Sequence, residues 1–310
     1  MKHFTRILLV LVVASVLAPT GMYAQKKKKT AARRQQNTPQ LVTYPQRDDA
    51  FKSSFKLTPL GSFKSDKVTS MDFFVVPAPD FEGHLLKRDT NRKQVKLQQV
   101  SCRQNQITDD DDWFIDNGLP SRETRIETPM DVFGPRFTYN TGGYLVTTYG
   151  ENWGNTLKMI ITDEHQQQYY AAYDFQNYIY SPKTTLMGNT QSIDDVVIEG
   201  NMLYVSHGSN SYSDGAGNQT GYITAFDMQK REIIWTTQPM TCNSKFAVCD
   251  NSIICGYGFT GESDNLYVID KYSGQRVQRY PLKKMAFHVI VKNNKAYVRT
   301  YSYDYVFDVK

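Results

Sequence analysis

The sequence predicts an all-β protein: a β-propeller of about five to six four-stranded blades, its ring closed by an N-terminal strand. Two observations carry this expectation. Aromatic residues make up 13% of the 310 residues, with 21 Tyr and 16 Phe, and flat side chains pack well on a pleated surface. In addition, a strand–turn–strand pattern whose first strand ends on Asp recurs along the chain, and a tight hairpin precedes each of the later copies. Hydrophobic residues at 40% and charged residues at 22%, with a mean hydropathy of -0.52, supply a core and exclude a disordered or multi-span chain.

The chain begins with a leader-like segment. Lys2 and Arg6 precede an apolar run from Ile7 to Ala18 that Pro19 breaks, and Gly21, Met22, Tyr23 and Ala24 lead to Gln25. This pattern reads as a secretory signal peptide over 1–24. The run is short of the roughly 20 residues that a membrane-spanning helix needs, and no second long apolar run follows. Lys26 to Lys29, Arg33 and Arg34 then form a basic, low-complexity tail over 25–39. Residues 1–39 hold eight of the 36 basic residues and no acidic one. The remainder therefore carries 28 basic against 31 acidic residues, a net of −3. The formal charge of +5 belongs to leader and tail, so the charge balance gives no support to a basic nucleic-acid face on the folded part.

Residues 40–310 read as one propeller domain. Segment 83–97 is the first expected copy of the repeat, with Gly83, Asp89 and Leu97 placed as Gly221, Asp227 and Trp235 are in segment 221–235. An insertion near 99–132 interrupts it. There Asp109 to Asp112 and Asp116 make an acidic loop without the alternating ligand spacing of a calcium site. Phe137 to Val146, around Asn140, with Ile160, Ile161 and Asp163, gives the next copy. Val197 to Val205 turns at Gly200-Asn201 and leads to 221–235. Ala247 to Cys255 turns at Asp250-Asn251 and leads to 264–278, where Asp270 ends the strand. Ile290 to Val298 turns at Asn293-Asn294 and leads to a truncated copy ending at Asp308. Gly, Asn and Asp tolerate the positive φ that such turns require. Four short strands repeating at about 40–50 residues are the signature of propeller blades. The last copy lacks its outer strand, so an N-terminal strand within 40–66, either Leu41-Val42-Thr43-Tyr44 or Phe55-Lys56-Leu57, is expected to complete it and protect the open edge.

The four cysteines are Cys102, Cys242, Cys249 and Cys255. Across the Asp250-Asn251 turn, Cys249 faces Ser252 and not Cys255. A Cys242–Cys255 bridge, a Cys242–Cys249 bridge and buried free thiols all remain open. No CxxC or paired His accompanies them, so no zinc pattern is present.

Ala225, Asp227 and Trp235 match the spacing of the repeat A-x-D-x-x-x-G-x-x-x-W, with Arg231 in place of the Gly. Val268, Asp270, Ser273 and Gly274 match again, with Gln278 in place of the Trp. In these residues the chain resembles the quinoprotein-like propellers, a family that holds quinone-dependent redox enzymes and non-catalytic scaffolds of the outer-membrane assembly type. The resemblance covers roughly 70–310 in degenerate form and implies the blade. It does not imply the cofactor, because the adjacent cysteines of the enzymes are missing here. No cofactor and no metal are expected.

No HExxH, GxSxG or phosphate-loop pattern is present among the motifs that carry chemistry. In a propeller the loops joining second to third strands share one face. Here they hold Trp153 and Asn155; His207, Asn210, Tyr212 and Asp214; Phe259 and Glu262; and Tyr301 and Tyr303. Aromatics on exposed loops stack on sugars or anchor a peptide. The expected function is an exported, non-catalytic binding or scaffold module for an envelope protein or a glycan, in the periplasm, at the cell surface or secreted. The alternative is a glycan-active or other hydrolytic or lyase enzyme in the propeller mouth, for which Asp214 and Glu262 are the first carboxylates to test.

Overall fold

A computed structural model describes residues 57–105, 110–151, 156–178, 191–209 and 212–310. The leader, the basic tail, Leu41 to Tyr44, Trp153, Asn155 and Asn210 lie outside the described residues. In chain order the elements are β1 (Gly61–Ser62), β2 (Phe74–Val75), β3 (Leu97–Gln104), helix α1 (Asp110–Asp116), β4 (Glu123–Arg125), β5 (Gly134–Thr141), β6 (Tyr144–Gly150), β7 (Thr156–Thr162) and β8 (Gln168–Asp174). They continue with β9 (Gln191–Glu199), β10 (Met202–Ser209), β11 (Tyr222–Asp227), β12 (Glu232–Thr236), β13 (Ala247–Cys249), β14 (Ser252–Tyr257), β15 (Asn265–Asp270), β16 (Arg276–Pro281), β17 (Ala286–Lys292), β18 (Lys295–Thr300) and β19 (Tyr303–Val309).

The strands form four antiparallel meanders. The first is β5 to β8, extended by β4 on one edge and by β1 and β2 on the other, with only β2 parallel to its neighbour. The second is β9 to β12 and the third β13 to β16. The fourth is β17 to β19, completed by β3. The hairpin turns follow from residue choice. Glu199 pairs with Met202 across Gly200 (φ 60°), and Lys292 pairs with Lys295 across Asn293 and Asn294 (φ 51° and 57°). Cys249 faces Ser252, as the spacing requires. The turn expected at Asn140 sits instead at Gly142-Gly143, where Thr141 pairs with Tyr144. Two adjacent glycines accept positive φ more readily than Asn140 does.

The recurring Asp has a local cause. The Asp227 carboxylate accepts from the backbone N–H of Gln229 (2.9 Å) and Lys230 (3.0 Å) and from Asn201 Nδ2 (3.1 Å). Asp163 accepts from Gln167 and Gln168, and Asp270 from Tyr272. Each Asp thus caps the turn that ends its strand. In the second sheet it also ties that turn to the preceding hairpin.

Central strands are buried on both faces; β11, β14 and β15 are buried throughout. This is why they read as continuous apolar runs and not as alternation. One core fills the space between the first and second sheets around Val146, Met159, Val205 and Phe226. Another lies between the second and third around Ile223, Trp235 and Ile253, and a third between the third and fourth around Val268, Val298 and Phe307.

Four points differ from the expectation. The strand completing the last sheet is β3, at 97–104, not a strand within 40–66. Leu57, the described part of the second candidate there, packs on the first core instead. Segment 83–97 is not a strand–turn–strand copy: its backbone is irregular apart from one bridge, His84 to Thr236, and the start of β3. The acidic run expected as a loop holds helix α1 over Asp110–Asp116, and the 99–132 insertion joins the sheets through most of β3 and all of β4. Finally, a closed ring of five to six blades is not present among the described residues. The free face of the first sheet is covered by Phe63, Val68, Met71 and Phe73, and that of the fourth by Trp113, Phe114 and Leu119. Those two patches bury the outermost faces that a ring would bury against each other.

Candidate functional site

Two constellations stand out: the loop face between the second and third sheets, and a charged cluster against the first strands of the sheets. The loop after β10 forms a short 3-10 turn at Ser213–Ala216 that leans on the loop after β14. The ring of Tyr212 meets that of Phe259 edge-on at 4.8 Å. One oxygen of Glu262 accepts from the Ser213 N–H (2.7 Å), and the other accepts from the Tyr257 hydroxyl (2.7 Å). Gly221 makes this possible. A Cβ there would lie 2.5 Å from the Tyr257 ring, and its φ is +73°. Tyr212 keeps 52% of its surface exposed and Tyr301 keeps 56%.

The structure therefore brings Tyr212, Phe259 and Glu262 together. Asp214 is exposed on the same turn. Tyr301 and Tyr303 sit at the fourth sheet, where Tyr301 meets Phe287 edge-on and Tyr303 lies under the Lys283 ammonium at 4.5 Å. His207 does not belong to the face. It is fully buried between Gln191 Oε1 (3.1 Å) and Thr224 Oγ1 (2.8 Å), stacked on Tyr222 and against Tyr178. Burial pushes its pKa down to about 3, so the imidazole is neutral and serves as a core hydrogen-bonding ring.

The charged cluster was not foreseen. Arg122, just before β4, donates to the Asp195 carboxylate and to Val196 O (2.5 Å) on β9, and to Phe246 O (3.3 Å) just before β13. Its own carbonyl accepts from Asn140 N–H on β5. One side chain and its peptide thus touch the first strand of the first two sheets and the residue entering the third. Glu123 pairs with Lys245, whose ammonium also reaches Asp194 O (2.5 Å). The side chains of Lys245 and Glu123 stay 24% and 27% exposed, so the cluster meets solvent. Burial opposes the charge on Lys245, but the Glu123 and Asp195 carboxylates outweigh it and hold the ammonium above its ordinary range. Burial pushes the Asp194 carboxyl up to about 7, against the pull of Lys245. The contacts run over 73 and 124 residues of sequence, so no local motif could have marked them.

A raised carboxylate has a stability consequence. The folded state favours protonated Asp194, so stability is greatest below the unfolded pKa near 4 and falls as pH rises toward 7. Asp194→Asn is expected to flatten stability between pH 4 and 7. Above pH 7 it should make the variant more stable than the parent by roughly 1–3 kcal/mol. Urea unfolding at pH 4.5 and pH 8 checks this; parallel pH profiles for the two proteins would count against it.

A cleft of about 430 Å³ lies on the far side of the first sheet, among Val68, Met71, Phe73, Phe133, Tyr149 and Lys158. Lys158 and Asp174, cross-strand neighbours on its wall, pair at 3.3 Å. Among the described residues no group of His, Cys, Asp and Glu is arranged to hold a metal ion, and no helix is long and apolar enough to cross a membrane.

No protein-family model matches the chain, and no curated protein matches it. Among solved structures it is similar to BamB from Moraxella catarrhalis, at 14% identity and a TM-score of 0.35, over 55% of this chain and 43% of that chain. The chain thus spans less than half the length of that protein, and at this level of likeness no residue role is carried across.

Proposed function

We propose that this chain is an exported, non-catalytic binding or scaffold module of propeller type, which takes an envelope protein or a glycan on the face carrying Tyr212, Phe259 and Tyr301. The observation that carries this reading is the state of the groups on that face. Tyr212 and Tyr301 are exposed and Phe259 is half-buried, while Glu262 spends both oxygens on holding two loops together. Exposed Tyr rings suit recognition, because each offers a large apolar face with a polar tip. The leader-like run Ile7 to Ala18 supports export.

A second reading keeps a hydrolytic or lyase enzyme in view, and its specific support is the cluster of Asp194, Glu123 and Lys245. A carboxyl titrating near neutrality beside a carboxylate is what acid–base work on a glycan requires. Asp214 and Glu262, the first choice from the sequence, lose ground because Glu262 is already committed.

The two readings separate in one experiment. The purified protein and the Tyr212→Ala/Tyr301→Ala variant are tested on a glycan array and against solubilised envelope proteins, with polysaccharide turnover followed in parallel. Binding that falls at least tenfold in the variant, at unchanged Tm, supports the module. Equal binding by both proteins removes the face from consideration. Turnover that is abolished in Asp194→Asn establishes the enzyme instead.

A further inference from the structure

The corner between the second and third sheets holds two thiols that the binding reading does not use. Cys242 lies in the linker from β12 to β13 and Cys255 in β14. Both are fully buried in the core that holds Trp235, Ile253 and Tyr267. The linker runs against β14: Asn243 N–H donates to Gly256 O (2.9 Å), and Gly256 N–H donates to Ser244 Oγ (2.8 Å). The Cys255 thiol donates to Thr241 O (3.3 Å), and the Cys242 thiol donates to Ser244 O (3.4 Å) while accepting from Ser206 Oγ (3.3 Å). The Cys255 thiol thus bonds the carbonyl of the residue just before Cys242, which brings the two cysteines side by side in one core. Cys249 and Cys102 are placed elsewhere, across from Ser252 and from Tyr305.

We propose that Cys242 and Cys255 are a redox pair that closes to a disulfide when the chain folds under oxidising conditions. Two S–H bonds break and one S–S bond forms. The two electrons and two protons reduce one small-molecule disulfide, such as oxidised glutathione, to two thiols. Burial pushes the Cys255 thiol well up, and the thiolate is the attacking species. Exchange therefore runs during folding or through local opening, and the closed native protein protects whichever state it holds. The bond closes a loop of 14 residues, 242 to 255, and staples the inter-sheet linker to β14, the strand that ends on Tyr257.

The test unfolds the full chain, refolds it in a glutathione buffer or in dithiothreitol, then denatures it and alkylates the free thiols. Mass spectrometry is expected to count two thiols of four after oxidative refolding and to map a 242–255 cross-link. The oxidised form should melt roughly 5–10 °C above the reduced one. Cys102→Ala/Cys249→Ala should keep both the link and the shift, whereas Cys255→Ala should lose both. Four free thiols after oxidative refolding, a cross-link through Cys102 or Cys249, or equal melting of the two forms would overturn the proposal. The double variant keeps the test decisive if Cys255→Ala fails to fold.

Discussion

Trp235→Ala is expected to lower stability by about 3–5 kcal/mol and the melting temperature by roughly 8–15 °C. The indole is 1% exposed, and its Nε1–H donates to Lys271 O at 3.2 Å. Its ring crosses from the second sheet to the turn of the third. Truncation therefore opens a cavity in the core between two sheets and leaves a buried carbonyl without its donor. The partner surface is Gly274, at φ +73°, where an added Cβ would stand 2.7 Å from Trp235 Cε3 and 2.9 Å from Cδ2. Gly274→Ala is accordingly expected to destabilise the parent by pushing the indole out of place, in addition to the backbone strain of positive φ. In the Trp235→Ala background the clash disappears and only the strain remains, so the two changes should fall well short of additive. Chemical unfolding of the four proteins measures the coupling, and strict additivity would refute docking of the indole on the turn.

The same pair shows how far the sequence carries. Asp227 and Trp235 in one copy, and Asp270 and Gly274 in the next, are local spacings with a local cause in the Asp-capped turn, so they are legible in the sequence, whereas the laying of the ring on the next sheet's glycine is not. The hairpin registers around Gly200-Asn201 and Asp250-Asn251 were legible for the same reason. Segment 83–97 misled because its Asp is a true turn former: Asp89 accepts from Asn91 N–H at 2.9 Å. No strand surrounds that turn, and the segment instead laces along the sheets, with Leu86 N–H donating to Ser273 O and Gln94 Nε2 donating to Asp270. In the third sheet Gln278, standing where Trp235 stands in the second, donates to Val95 O at 2.6 Å on that lacing segment. The departure from the repeat thus marks where the fourth sheet has no turn between its last two strands and the segment entering β3 stands there instead. Val95 to Gln104 reads equally as a strand extension or the start of a short helix, because β3 is an edge strand, exposed over much of its length, and Leu-Gln-Gln-Val-Ser-Cys-Arg-Gln has no core periodicity. Helix α1 hid in the acidic run, although Asp110 to Asp112 occupy its first turn, where negative charge suits the helix dipole. Of the candidate site, exposure at Tyr212 and Tyr301 followed from loop position. The burial of His207 did not, because Tyr178 and Gln191 come from other parts of the chain.

The Arg122 contacts are of that second kind, and their removal should be felt across three sheets. Arg122→Met is expected to cost about 3–5 kcal/mol. The Asp195 side chain is 1% exposed, and its Oδ1 is buried without a hydrogen-bond partner. Its Oδ2 accepts from Arg122 and from Phe246 N–H at 3.0 Å. Without the guanidinium, a nearly dry carboxylate keeps one backbone donor and no opposing charge on that side, which is far costlier than deleting both charges together. Arg122→Met/Asp195→Asn should therefore recover a large part of the loss, because the amide oxygen of the substituted side chain can still accept from Phe246 N–H. The location of the damage separates a clamp from a generic core contact. Amide exchange is expected to speed up in β9, β13 and the β5 end near Asn140, while β18, which the guanidinium does not reach, keeps its protection. Loss spread evenly over all four sheets, or a double variant no more stable than Arg122→Met, would mean that Arg122 fills space at the first strands without holding them together.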